Sequence, residues 1–138
     1  MIENVLKEKY ADLVSMTKLR QPNYPVIDFE GLLAEYGKDT RRFLVVETVI
    51  AIRQQLKESQ LEDRTLFAKR GRLIEVPIGT LRYYQKEVGI TGPKHTHPDE
   101  PVSIIEWNNE MILWDGYHRT LVKMVLGRDT INGYVLTL

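Results

Sequence analysis

Cysteine is absent from this sequence of 138 residues. Its absence excludes disulfide bonds and thiolate metal sites, and it is typical of cytoplasmic proteins. Long apolar runs are also missing, since none approaches the ~20 residues that a membrane-spanning helix needs. Residues 1–4 lead into a charged helix rather than resembling a signal peptide. We therefore expect a cytoplasmic protein with no membrane association.

The sequence also lacks an excess of charge of either sign. Its 19 lysines and arginines balance 19 aspartates and glutamates, and both signs are spread evenly along the chain. A general binder of duplex DNA usually carries a basic excess or stripe, so this class is disfavoured, although a local basic patch is still compatible with the sequence. The length predicts a single domain over residues 1–138, with a helical part over 1–70 and a second part over 71–138.

Helical signals dominate the first half of the chain. Residues 3–17 have apolar positions at helical spacing. The prolines and the asparagine within residues 20–25 then predict a loop. Asp28 is placed to cap a short helix over residues 29–36.

The longest helix is predicted to begin at Asp39 or Thr40 and to end near Ser59. Its centre, which includes Phe43, is apolar on most sides, and this is typical of a central packing helix. Because β-branched residues are dense there, a buried strand is the alternative, but the charged flanks favour a helix. Residues 62–69 predict one or two further helical turns.

Strand signals dominate the second half. Pro77 restricts the strand predicted over residues 73–78 to a sheet edge or to its own end. Asn108 and Asn109 tolerate the positive φ angles that a tight hairpin needs. Further strands are predicted over residues 102–107, 110–114 and 130–136, with a short helix or an irregular crossover over 81–88 and a loop over 89–101.

Residues 115–119, Asp-Gly-Tyr-His-Arg, form a turn between the strand at 110–114 and a short helix that Gly127 ends. Gly116 allows the backbone to turn sharply. The first N–H groups of a helix have no partner within the helix and carry the positive end of its dipole. A turn of this kind is therefore a candidate site for an anion.

Two side chains of the turn support this interpretation. His118 and Arg119 add hydrogen-bond donors, and the planar fork of an arginine suits a phosphate group. The alternative is that Asp115 caps the helix through its side chain, while His118 and Arg119 are solvated surface residues.

The chain over residues 73–138 resembles the ParB/sulfiredoxin-like family, because the Asp-Gly-Tyr-His-Arg turn stands between an apolar strand, a helix and a closing strand, and residues 74–81 stand where that family has its first strand. The resemblance implies an α+β fold, in which a helical N-terminal half packs on a small mixed β-sheet with a strand–turn–helix core. In that family the turn binds phosphate groups, usually those of a nucleotide. The matching residues in this chain are Gly116, His118 and Arg119, and the resemblance implies a phosphate-binding set that also includes Tyr117 of the same turn.

This sequence departs from two branches of that family. The sulfiredoxin branch needs a catalytic cysteine in the turn, so sulfinic-acid repair by that route is excluded. The partition-protein branch has a second, arginine-rich box and a helix-turn-helix after this domain, whereas this sequence ends at Leu138. We therefore do not expect a DNA-partition clamp, and the resemblance implies only the fold and its phosphate site.

Other side chains are candidates for metal binding or catalysis. His95 and His97 would place two rings on one side of an extended segment, which suits zinc or another divalent metal; a polar surface loop is the alternative. Glu75 and Asp115 are the carboxylates expected near a phosphate, with Asp115 holding Mg²⁺ there, unless Glu75 simply faces solvent. Together with His118, these two carboxylates are the catalytic candidates.

The segment Arg82-Tyr83-Tyr84 offers aromatic faces on which a base or another aromatic ligand could stack. The alternative is that one ring belongs to the core and the other to the surface. Trp107 and Trp114, on adjoining hairpin strands, are predicted in the core or in an interface.

Two classes of function follow from these observations. The first is a nucleotide- or phosphate-binding protein with phosphoryl-transfer, nucleotide-hydrolase or nuclease activity at the turn, with Mg²⁺ as its cofactor. The second is a non-catalytic interaction protein of the plasmid or phage type, which keeps the fold and binds a host protein or a nucleic acid. An exposed apolar helix face in the first half would indicate a dimer.

Overall fold

The computed structural model describes residues 18–20, 24–35, 43–89 and 99–138. Over these residues the helices are α1 (Phe29–Glu35), α2 (Val46–Glu58), α3 (Thr65–Arg70) and α4 (Tyr117–Val125). The strands are β1 (Lys18–Arg20), β2 (Tyr24–Asp28), β3 (Arg72–Pro77), β4 (Glu87–Gly89), β5 (Val102–Trp107), β6 (Glu110–Asp115) and β7 (Thr130–Thr137). The predicted mixture of helices and a small mixed sheet is confirmed. The helix predicted over 3–17 lies outside the described residues.

The main sheet is mixed and has the strand order β3-β7-β5-β6. β5 runs parallel to β7, whereas the β3–β7 and β5–β6 pairs are antiparallel. The β5–β6 hairpin turns at Asn108 and Asn109, whose φ angles are 50° and 64°, as predicted. Pro77 lies in β3 at the edge of the sheet, where its missing N–H is tolerated.

Extended backbone beyond β6 enlarges this sheet. The Arg82 N–H donates to the Met111 carbonyl at 2.8 Å, and the Arg82 carbonyl accepts from the Leu113 N–H at 2.9 Å. The Leu44 N–H in turn donates to the Tyr83 carbonyl at 2.6 Å. Of the two predictions for residues 81–88, the short helix is wrong, because Arg82 and Tyr83 form extended bridges; the segment ends in the strand β4, which neither prediction includes.

A second sheet lies in a region where the sequence predicts a loop. β1, β2 and β4 form an antiparallel sheet in the order β1-β2-β4. The predicted loop over 20–25 is wrong at both of its ends, because Tyr24 and Pro25 belong to β2 and pair with Arg20 and Leu19. The capping prediction is confirmed, since Asp28 Oδ1 accepts the Gly31 N–H at 3.1 Å in the first turn of α1.

The long predicted helix is shorter than expected and packs on one side only. α2 begins at Val46, because Phe43 forms an extended bridge to Tyr83 before the helix starts. Its buried residues are Val49, Ile52 and Leu56, which follow helical spacing along a single stripe. The prediction of a central packing helix is therefore wrong, because only one side of α2 is buried.

Helices cover both faces of the main sheet. Successive residues of a strand point to opposite faces, and in β5 Ile104 and Ile105 belong to different core clusters. The first cluster includes side chains of α1 and α4, such as Phe29 and Leu121. The second includes side chains of α2 and α3, such as Ile52 and Phe67. The end of β6 therefore lies between two helical layers.

None of the helices in the described part of the chain has the length and apolar character needed to cross a bilayer.

Candidate functional site

The turn between β6 and α4 depends on a glycine. Gly116 has a φ of 105°, in the left-handed region, and it is the N-cap residue of α4. A Cβ at this position would lie 2.5 Å from Cγ1 and 2.8 Å from Cβ of Val102 in β5. The Gly116 carbonyl accepts both the N–H and the hydroxyl of Thr120, each at 3.0 Å. The predicted strand, turn and helix are thus present, and the turn packs directly against β5.

Asp115 does not cap this helix, contrary to the capping alternative. The N-cap residue is Gly116, and no side-chain hydrogen bond caps the helix start. Asp115 instead ends β6 opposite Ser103, and its Oδ2 lies 3.6 Å from Nη1 of Arg64. Its carboxylate is therefore directed to a neighbouring element, the segment that leads into α3.

Arg119 is held by the segment that leads into β5. Its Nη1 donates to the Pro101 carbonyl at 2.8 Å and lies 3.9 Å from Oε2 of Glu100. Because only 22% of its side chain is exposed, the prediction of a solvated Arg119 is wrong. A guanidinium carries five N–H donors in a planar fork, so this anchoring still allows other N–H groups to bind an acceptor.

Arg64 and Thr65 reach the same region from the start of α3. Asp63 Oδ1 accepts both the N–H and the hydroxyl of Thr65 at 2.9 Å. These two hydrogen bonds hold the pKa of Asp63 below its ordinary value. Arg64 lies between these two residues, and 80% of its side chain is exposed. One arginine of the region is therefore fixed by the fold, and the other is solvated.

These side chains line one cleft of about 380 Å³. It combines the two guanidinium groups with two carboxylates, several hydroxyl groups and apolar side chains. The lining residues are Arg64, Thr65, Phe67, Ala68, Glu100, Pro101, Ser103, Asp115, Arg119 and Tyr134. We call it the arginine cleft. Its volume lies within the range of small-molecule sites.

Tyr117, one of the predicted phosphate-binding residues, is buried in the core. Its side chain is 4% exposed, and its hydroxyl donates to the Leu113 carbonyl and accepts the Tyr84 N–H, both at 2.9 Å. Burial raises the pKa of this phenol well above its ordinary value. Since the ring and the hydroxyl are committed to the core, Tyr117 could meet an anion only through its backbone N–H.

The remaining candidates are not brought together in the arginine cleft. His118 is half-buried on the first turn of α4 and is not among the lining residues. Glu75 is exposed on β3, opposite Asn132. Three strand spacings separate β3 from β6, so Glu75 and Asp115 are at least about 14 Å apart across the sheet.

The predicted histidine pair, His95 and His97, lies outside the described residues. Among the residues that the structure describes, no group of three or more histidines, aspartates and glutamates is arranged to hold a metal ion. A cation in the arginine cleft would therefore need oxygen atoms of a bound ligand in addition to those of Asp115 and Glu100.

The aromatic rings predicted to stack on a ligand, those of Tyr83 and Tyr84, contact side chains of the protein itself. Tyr83 is 1% exposed and belongs to the core, while Tyr84 is half-buried with its ring centre 5.0 Å from that of Trp114. The guanidinium carbon of Arg53 lies 5.8 Å and 6.0 Å from the centres of these two rings. The alternative of one core ring and one outer ring is confirmed.

Of the ten residues that line the arginine cleft, the sequence singles out Asp115 and Arg119 but not Arg64, Thr65 or Ser103. One local signal exists: Asp63 stands two residues before Thr65, where a carboxylate can cap a helix start. No local signal indicates that this helix start faces the turn at Gly116. Comparison of the chain with protein-family models, with curated proteins and with solved structures gave no match.

Proposed function

We propose that the arginine cleft binds the phosphate groups of a nucleotide, and that the chain is a ParB/sulfiredoxin-like protein with a helical N-terminal part. The family proposal is supported by the order of elements from β3 through the β5–β6 hairpin, the Gly116 turn and α4 to β7. It is also supported by the residues of that turn, in which Gly116, His118 and Arg119 match the family's phosphate-binding positions.

One observation carries the binding proposal: Arg64 and Arg119 line the same cleft beside the first turn of α4. Two guanidinium groups that face one cavity provide charged forks for phosphate oxygens. Of α4 only Arg119 lines the cleft, so the start of this helix, which has no capping side chain, would add the positive potential of its dipole rather than N–H donors of its first residues. Arg119 would be a preformed contact, and the exposed Arg64 would close onto the ligand.

The carboxylates of the cleft fit a cation that accompanies the nucleotide. Asp115 and Glu100 would repel a phosphate that enters alone, because like charges approach in a partly buried cleft. Carboxylate and phosphate oxygens are the ligands that Mg²⁺ prefers. We therefore propose that Asp115 and Glu100 hold Mg²⁺ when a nucleotide is bound, and that the ion neutralises phosphate charge.

A cleft of this kind would suit a reaction at phosphorus. The candidates are phosphoryl transfer, nucleotide hydrolysis and nuclease cleavage. A hydroxyl or water would attack a phosphorus atom, the bond to the leaving oxygen would break, and the proton of the nucleophile would go to a nearby base. His118, on the first turn of α4, is the base that the sequence motif proposes; because it does not line the arginine cleft, this role requires its side chain to turn toward the bound nucleotide. Glu75 has no part in this proposal, because β3 is remote from the turn.

A thermal-shift panel tests the binding proposal. ATP, ADP, CTP, GTP and inorganic phosphate are each added with and without Mg²⁺. A ligand at a hundred times its dissociation constant adds ~2.7 kcal/mol to the free energy of unfolding. We expect one nucleotide to raise the midpoint, and Mg²⁺ to increase the shift. A flat panel would contradict the proposal and favour a non-catalytic interaction protein that binds a host protein or a nucleic acid.

Arg64→Ala should remove most of the nucleotide shift and leave the unliganded midpoint nearly unchanged. The side chain is 80% exposed and its ion pair with Asp115 is long at 3.6 Å, so its loss costs little stability. Arg70→Ala is the matched control, because Arg64 directly precedes α3 and Arg70 is an exposed arginine at the other end of that helix that does not line the cleft. Equal ligand shifts in both variants would contradict the assignment of Arg64.

Arg119→Ala should lower both the stability of the fold and the binding of a nucleotide, whereas Arg64→Ala should lower nucleotide binding alone. Its hydrogen bond to Pro101 is partly buried, and a bond from a charged donor to a carbonyl stabilises the folded state by about 2 kcal/mol. We expect urea unfolding of Arg119→Ala to show a loss near that value, together with loss of nucleotide binding. Unchanged stability would mean that the Pro101 contact does not anchor the arginine.

A further inference from the structure

Two side chains of α4 hold the segment that leads into β5. Arg119 and Lys123 are one helical turn apart in the sequence, so their side chains lie on the same side of the helix. Nη1 of Arg119 donates to the Pro101 carbonyl at 2.8 Å, and Nζ of Lys123 donates to Oδ1 of Asp99 at 2.9 Å. The segment 99–101 is therefore attached to α4 at two points.

The second attachment depends on a lysine that is almost buried. Only 11% of the Lys123 side chain is exposed, whereas 91% of the Asp99 side chain is exposed. A lysine is rarely buried to this extent unless its charge is paired. The hydrogen bond from Lys123 and its positive charge hold the pKa of Asp99 below its ordinary value. The ammonium group thus gives α4 a fixed point to which the exposed Asp99 binds.

The ion pair between Lys123 and Asp99 lies outside the arginine cleft but is adjacent to it in the chain. Neither residue lines the cleft, whereas Glu100 and Pro101, which directly follow Asp99, both do. Val102, the next residue, is fully buried in β5. Glu100 and Pro101 are therefore held between the core strand on one side and the ion pair with Lys123 on the other.

The position of these two residues determines how Arg119 is presented to a ligand. Its Nη1 donates to the Pro101 carbonyl and lies 3.9 Å from Oε2 of Glu100, so a displacement of the segment would weaken both contacts. A guanidinium binds a phosphate through two parallel N–H···O bonds only when its plane is correctly oriented. Without these contacts Arg119 would keep its charge but lose its fixed orientation, and ordering the side chain on binding would cost free energy.

We propose that Lys123 and Asp99 are positioning residues of the arginine cleft. Their ion pair holds the segment 99–101 where the Pro101 carbonyl orients the guanidinium of Arg119, and it thereby raises the affinity of the cleft for phosphate groups without touching them. This inference rests on the proposed function, because it concerns the same cleft and the same phosphate-bearing ligand.

The sign of the effect of Asp99 distinguishes positioning from simple electrostatics. Asp99 carries a negative charge near a proposed anion site, so removal of this charge alone would strengthen phosphate binding. A positioning role predicts the opposite, because the loss of the carboxylate releases the segment that orients Arg119. Lys123→Met, which keeps the apolar part of the side chain, should have the same effect as Asp99→Ala.

Isothermal titration calorimetry with ATP, CTP and GTP, each with Mg²⁺, measures this effect. We expect Asp99→Ala and Lys123→Met to weaken nucleotide binding by about five- to tenfold, the cost of ordering one long side chain. Glu30→Ala is the matched control, because Glu30 is the acid of another lysine pair, 3.6 Å from Lys86, and does not line the cleft. Its affinity should equal that of the unmodified chain. Unchanged or tighter binding by Asp99→Ala would overturn the proposal.

A measurement without ligand distinguishes this proposal from the proposed function. The heteronuclear NOE of the Arg119 Nε–H group reports fast motion of the side chain, and Arg119→Lys identifies the signal by its loss. We expect the NOE to fall in Asp99→Ala and Lys123→Met but not in Glu30→Ala, while thermal unfolding shows that each variant is folded. An unchanged NOE in both variants would overturn the positioning role whether or not a nucleotide binds. A lower NOE in a chain that binds none of the three nucleotides would support the positioning of Arg119 and contradict the proposed function.

Discussion

Gly116→Ala is expected to lower the free energy of unfolding by about 3 kcal/mol, the sum of two independent costs. The first is backbone strain, because φ is 105° at this position, a conformation that an L side chain rarely adopts. The second is overlap, because the new methyl group would lie 2.5 Å from Cγ1 of Val102. Val102 is fully buried, so it cannot move aside without disturbing the packing between β5 and α4.

Substitutions at two other glycines distinguish the cost of backbone strain from the cost of overlap. Gly127 has a φ of 75°, and the space that a Cβ would occupy there is open, so Gly127→Ala should cost only the strain, about 1 kcal/mol. Gly79 has open space and no positive φ, so Gly79→Ala should be neutral or slightly stabilising. Urea unfolding of the three variants measures the series. A cost for Gly116→Ala no larger than that for Gly127→Ala would contradict the contact with Val102.

The sequence predicts the core of the second half because its signals are local. Asn108 and Asn109 determine the hairpin, Gly116 the sharp turn, and Gly127 the end of α4; both glycines and both asparagines have positive φ angles. In each case a residue that tolerates a rare backbone conformation stands where the chain changes direction. The alternation of apolar residues then assigns the strands between these points.

The first half is harder to predict because its structure depends on distant partners. β2 contains Pro25, which is typical of loops, but its backbone pairs with β1 on one side and with β4 on the other. The pairing with β4 joins segments about sixty residues apart in the sequence, and no local pattern reports it. For the same reason, the bridge from Phe43 to Tyr83 delays the start of α2.

The arginine cleft likewise contains some residues that a local sequence motif indicates and others that only the fold brings there. The Gly116 turn and Arg119 are close together in the sequence, so a short motif is enough to indicate the candidate anion site. Arg64 reaches Asp115 only because α3 and β6 meet in the fold. From the sequence alone, capping is the natural interpretation of Asp115, because a carboxylate before a helix has no other visible partner. In the fold the partner of Asp115 is Arg64, which the sequence does not indicate.

Tyr117→Phe is expected to lower the free energy of unfolding by about 3 kcal/mol, although it removes a single oxygen atom. That oxygen donates to the Leu113 carbonyl and accepts the N–H groups of Tyr84 and Gln85, at 2.9, 2.9 and 3.4 Å. It therefore joins the end of β6, the start of α4 and the crossover segment in the core. Without it, the buried Leu113 carbonyl and the partly buried N–H groups of Tyr84 and Gln85 lose their partner, and an unsatisfied buried group is the costly form of a broken hydrogen bond.

The pH dependence of stability gives this prediction a second readout. Burial raises the pKa of Tyr117 above the ordinary value of tyrosine, so the folded state keeps the proton after the unfolded chain has released it. Stability should therefore fall as the pH rises above ~10, by up to ~1.4 kcal/mol per pH unit for one such group. Tyr117→Phe should lose stability at neutral pH and show a shallower decline above pH ~10, as measured by urea unfolding at each pH.

Tyr83→Phe is the matched control for this variant. Tyr83 is as well buried as Tyr117, at 1% exposure, and its hydroxyl donates to the Ile78 carbonyl at 2.9 Å. A carbonyl oxygen that loses one donor keeps a second lone pair for other partners, so the expected cost is about 1 kcal/mol. If both variants lose the same stability, the Tyr117 hydroxyl contributes no more than an ordinary buried hydrogen bond. A larger loss for Tyr117→Phe would mean that one hydroxyl fixes the strand, the crossover and the helix around the proposed phosphate site.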